Sequence, residues 1–77
     1  MMFIKIKEDI IQLEDILLIS LNEKEKTVVI HSRRGAIVAY AQQFIQGRVP
    51  MERVITPAEF EKVKDYFMID QQVKVLI

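Results

Sequence analysis

Through most of the first forty residues, apolar and polar positions exchange every second residue, the spacing of strands that bury one face. Phe3–Lys7 sets Met2, Ile4 and Ile6 on one side against Lys5 and Lys7 on the other. Glu8-Asp9 reads as a polar turn, and Ile10–Leu13 as a second short strand. Glu14-Asp15 then kinks the chain into Ile16–Leu21, which is apolar on both faces and therefore predicts a central strand covered on two sides. Asn22–Lys26 is a charged loop that reverses direction. Thr27–Ser32 opposes Val28 and Ile30 to Thr27, Val29 and His31, a β-branched alternation. Arg33-Arg34-Gly35 forms a hairpin loop with glycine where a left-handed backbone is needed, and Ala36–Ala41 returns as the partner strand.

The period changes in the second half. Residues 42–53 hold no clear repeat: Ala-Gln-Gln-Phe-Ile-Gln can make a short helical turn ended by Gly47, and Val49 before Pro50 favours extended backbone. Thr56-Pro57-Ala58-Glu59 is a helix start, with threonine at the N-cap, proline at the first position and glutamate at the third. Phe60, Val63 and Phe67 give one apolar stripe, with Glu61, Lys62, Lys64 and Asp65 opposite, so a helix runs from Pro57 to Met68. Asp70-Gln71-Gln72 breaks it. Val73–Ile77 alternates again, as a last strand able to join the sheet or a neighbouring protomer. The expected fold is α+β in a single domain, residues 1–77. It is a small antiparallel β-meander of four or five short strands, one C-terminal helix packed on the sheet, and a final short strand.

Composition adds a tendency to associate. A chain of 77 residues is 51% hydrophobic with mean hydropathy +0.15, yet a domain this size buries only about 60% of the surface its unfolded form exposes. Self-association, most simply a two-fold dimer, covers the remainder. There is no cysteine, hence neither a disulfide nor a thiolate metal site, which fits a reducing cytoplasm. The opening residues lack the apolar core of a signal peptide. No apolar run reaches the ~20 residues of a membrane helix.

The formal net charge is zero, which disfavours a polyanion binder held by bulk charge. Its distribution is uneven. Residues 1–25 set Lys5, Lys7 and Lys24 against Glu8, Asp9, Glu14, Asp15, Glu23 and Glu25, whereas residues 26–51 carry Lys26, Arg33, Arg34 and Arg48 with no acid.

Little else can do chemistry. His31 is the lone histidine, and without cysteine a zinc site would need carboxylates for nearly every ligand. Ser20 and Ser32 lie in no glycine-rich elbow, and the two glycines, Gly35 and Gly47, cannot assemble a phosphate-cradling loop. The pairs Glu8-Asp9 and Glu14-Asp15 fall where the chain turns and read as solvated turn residues. No enzyme, cofactor or metal follows from this inventory. The feature with a mechanism is the Arg33-Arg34 tip, whose guanidinium forks suit phosphates or carboxylates. Arg48 and Arg53 join it if the 42–53 segment folds beside the hairpin, with His31, Tyr40, Gln42 and Gln43 adding polar or stacking contacts.

The stretch from Ile4 to Tyr40 resembles the first half of the LytTR-type DNA-binding domain in Leu13, Asp15, Ile16 and Ile19, then Val28 or Val29, Ile30, His31 and Gly35. That family's DNA-contacting segment lies downstream and has no counterpart here, so no contact residue is transferred. The opening residues look like the start of the RemB-type matrix-gene regulators. The strand, hairpin and helix layout looks like the flagellar FlbD-like proteins. The expectation is a small bacterial or phage-type regulatory module, a homo-oligomer that contacts DNA or RNA through Arg33, Arg34, Arg48 and Arg53. The alternative is a protein–protein adaptor or assembly subunit that self-associates through its sheet.

Overall fold

The computed structural model describes residues 2–42 and 49–69. It is a small α+β fold. Five strands, β1 (Phe3–Ile6), β2 (Asp9–Gln12), β3 (Ile16–Asn22), β4 (Thr27–Ser32) and β5 (Ile37–Ala41), precede a single helix, α1 (Pro57–Ile69). Single 3-10 turns at Leu13–Asp15 and Met51–Arg53 join the parts. The strands make two antiparallel sheets, the β1-β2 hairpin and a meander in the order β3-β4-β5. The strand expected at Val73–Ile77 and the helical turn expected after Gln42 fall outside the described residues. No described helix is long and apolar enough to cross a membrane.

Alternation decides which side of each strand faces inward. In the meander, Ile19, Ile30 and Val38 share one row and Leu21, Val28 and Tyr40 the next. These rows pack with Ile4, Ile6 and Ile11 of the hairpin and with Phe60, Val63 and Phe67 of α1, the stripe read from the sequence. Tyr40, Phe60, Ile55 and Val28 are fully buried, and aromatic side chains of this size supply much of the burial energy of a small core. The rows on the opposite face, Leu18–His31–Ile37 and Ser20–Val29–Ala39, have no layer over them among the described residues.

The structure corrects two expectations. Ile16–Leu21 does not form the central strand: among the described residues β4 is bonded on both sides and β3 is an edge. The register of β3 slips between Ile16 and Leu18, a bulge that inserts Leu17. Inward positions are therefore Ile16, Ile19 and Leu21, while Leu17 and Leu18 stand outside, so apolar residues on both faces here mark a bulged, exposed strand. The first turn also shifts, because Ile6 pairs with Asp9 and the loop is Lys7-Glu8. Asp9 thereby becomes the first residue of β2, on the side of the hairpin that carries Ile6.

The helix start follows the sequence closely. The Glu59 amide donates to Thr56 Oγ1 at 3.1 Å, and the Thr56 amide donates to Glu59 Oε1 at 2.7 Å, a reciprocal capping box. Substituting Thr56→Ala should lower unfolding free energy by about 1 kcal/mol. In urea denaturation this should appear as a lower midpoint with an unchanged slope.

Candidate functional site

Of the four arginines expected to bind anions, Arg33 and Arg34 occupy the β4–β5 loop together. Gly35 there takes φ +90, in the left-handed region that favours glycine. Ser32 organises the loop: its Oγ accepts from the amides of Arg34 (3.2 Å) and Ala36 (3.1 Å), and its carbonyl accepts from Gly35 (3.1 Å). The Arg33 amide donates to the Asp15 carbonyl at 2.7 Å, and its Nε to the Glu14 carbonyl at 3.2 Å. Arg34 donates to Asp15 Oδ2 from Nε (3.2 Å) and Nη2 (2.9 Å), yet its side chain remains 81% exposed. The tip is thus laid over the start of β3 by the acidic turn before it.

Arg53 is elsewhere and committed. Its Nε and Nη2 fork onto the two oxygens of Asp9, each at 3.0 Å, and the Tyr40 hydroxyl donates to Asp9 Oδ2 at 2.7 Å. The three side chains join the β1-β2 hairpin, β5 and the Met51–Arg53 turn. The Arg53 fork holds the Asp9 carboxyl below its ordinary range, against the opposing effect of burial and with help from the Tyr40 hydroxyl. Burial, then the hydrogen bond to Asp9 and the Asp9 charge, raises the Tyr40 hydroxyl, which therefore stays a donor. Among the described residues Arg53 bonds Asp9 and not the tip, and Arg48 lies outside them. The stretch that is acid-free in sequence is consequently faced by acids in space, Asp15 at Arg34 and Glu61 at 3.7 Å from Lys26, and Arg53 just beyond it is faced by Asp9.

His31 is half-buried between Leu18 and Ile37 on the outward face of the meander. Among the described residues, no group of His, Asp and Glu is arranged to hold a metal ion. Of the four contact residues suggested beside the arginines, Tyr40 is spent on Asp9 and Gln43 falls outside the described residues.

The sheet surface through which the alternative reading has the chain associate is apolar and centred on β3. Leu17 is 62% exposed, Leu18 53% and Ile37, across β4 from Leu18, 62%. No residue from Ile16 to Asn22 is charged. The absence of lysine from a seven-residue strand was the available signal, since free edges are usually protected by charge. No family model, curated protein or solved structure matches this chain.

Replacing Asp9 with Asn leaves a weaker acceptor for Arg53 and Tyr40 and should cost about 2 kcal/mol, since hydrogen bonds to charged groups contribute about 1.5–3 kcal/mol. The pH dependence has a definite sign. Because the folded Asp9 carboxyl is more acidic than the unfolded one, its contribution is complete above the unfolded value of about 3.9 and is lost as pH falls through the folded value. Thermal melts from pH 7 to pH 2 should show wild-type stability falling at the acid end, and Asp9→Asn should narrow the gap there.

Proposed function

We propose that this protein is a non-enzymatic assembly or adaptor module whose working surface is the open side and free edge of the β3-β4-β5 sheet. One observation carries the reading: an uncharged edge strand with Leu17 and Leu18 exposed, adjoining the outward row that ends in Ile37. Folded monomers rarely leave an apolar edge of this kind without a partner, because its unpaired backbone and side chains invite strand addition. A formal charge of zero adds little long-range repulsion between copies.

A second reading is favoured by the exposure of Arg34 beside Arg33 on an ordered loop: contact with DNA or RNA through the hairpin tip. Both arginines already face the Glu14-Asp15 turn, so a phosphate there competes with the Glu14 carbonyl for Arg33 and with the Asp15 carboxylate for Arg34.

The assembly reading expects a solution mass above the 9.0 kDa of one chain, rising with concentration in sedimentation equilibrium, and Leu18→Lys with Ile37→Lys returning it to one chain. A wild-type monomer at every concentration up to the millimolar range sinks this form of the reading. The nucleic-acid reading expects binding to mixed DNA or RNA that weakens with salt and is lost in Arg33→Ala/Arg34→Ala. Unchanged affinity in that double variant removes it.

A further inference from the structure

The edge of β3 that no described strand pairs has a definite polarity. The Ser32 amide donates to the Ala36 carbonyl, so Ser32 directs its backbone groups toward β5. Those groups alternate along an antiparallel strand, so Thr27, Val29 and His31 direct theirs toward β3. Their partners Asn22, Ser20 and Leu18 must point back at β4, leaving the amides and carbonyls of Ile19 and Leu21 aimed outward from the free edge. The bulge lies before this stretch, and residues 18–22 pair in regular register.

Both ends of β3 carry exposed charge of both signs. At its start lie Arg33 and the 81% exposed Arg34, held there by Glu14 and Asp15. Beyond its end is the 23–26 loop, where Glu23 bonds Lys64 at 2.7 Å but keeps 66% of its side chain exposed.

We propose that two copies of the chain pair β3 against β3, antiparallel, about a two-fold axis at Ser20, making one continuous six-stranded sheet. The proposal rests on the assembly reading and specifies its partner and register. Centring on Ser20 opposes Ile19 to Leu21 of the other copy, twice. These are the residues whose backbone groups point outward, and each such pair exchanges both N–H···O bonds. It also keeps inward side chains opposite inward side chains, whereas a slip of one residue would oppose an inward apolar residue to an outward one. The same axis carries the Arg33/Arg34 tip of each copy to the 23–26 loop of the other, which brings the exposed Arg34 guanidinium toward the exposed Glu23 carboxylate of a loop that also holds Lys24, Glu25 and Lys26. No charged residue enters the paired strands themselves.

The absence of native cysteine makes a clean test. At the axis, Ser20 would face its own copy across a non-hydrogen-bonded pair, with Cβ atoms about 4.5–5.5 Å apart, close to the span of a disulfide. Under mild oxidation Ser20→Cys should give a covalent dimer at protein concentrations where Ala36→Cys, on the exposed hairpin loop, stays largely uncrosslinked. Charge reversal supplies a second arm. Arg33→Glu/Arg34→Glu and Glu23→Lys should each weaken self-association by at least about tenfold, and mixing the two variants should restore it as a heterodimer. If wild type dimerises while Ser20→Cys crosslinks no faster than Ala36→Cys, this pairing is overturned and the assembly reading stands. If mixing restores nothing, the contact between tip and loop is overturned. A monomeric wild type removes both readings.

Discussion

The Asp9 carboxylate is the point on which the two sheets are fixed to each other. A two-stranded hairpin is at best marginal in water, and β1-β2 shares no strand pairing with the meander. What holds it is the packing of Ile4, Ile6 and Ile11 on the core, together with one carboxylate that accepts from Tyr40 of β5 and from both arms of Arg53. Apolar packing is tolerant of sliding. A forked guanidinium and a hydroxyl on the same two oxygens are not, so the carboxylate sets the position of the hairpin. The cost of half-burying the charge is offset because Asp9 has partners on both oxygens.

Much of the fold is legible in the chain because its determinants are local. The alternation of Val28 and Ile30 places β4, Gly35 marks the β4–β5 loop, and Thr56 with Glu59 starts the helix within one turn of sequence. What could not be read depends on residues far apart. Asp9 beside Glu8 has the composition of a turn, and only Arg53, 44 positions later, and Tyr40, 31 positions later, show it to be an inward acid. The apolar run of β3 misleads for a related reason. A strand interior to a sheet and a bulged edge awaiting a partner are both apolar on two faces, and the difference lies in what stands beside them.

Spatial pairing also changes what the charge pattern means. The acid-free middle of the chain looks like a basic patch in one dimension, but the fold returns to it the acids of the first third and of the helix. Arg53 is withdrawn into a structural fork, and Arg34 keeps an exposed guanidinium beside Asp15. The tip is a mixed-charge surface. It suits recognition of another mixed-charge surface better than attraction to a uniformly charged polymer, whose affinity grows with the number of unopposed cations.

β1 and β3, one edge strand from each sheet, contrast in how they meet solvent. β1 carries Lys5 and is followed by Lys7, whose amine lies 3.3 Å from Glu59, the sort of charge that discourages a further strand. β3 has seven residues and no charge, and its only irregularity, the bulge at Leu17, stops short of the stretch whose backbone groups point outward. Solubility alone would favour a lysine at Leu18 or Ser20, both on the outward face, where the change disturbs no core contact. The proposed pairing through β3 uses this difference, since a neutral edge admits a further strand more readily than one guarded by lysine.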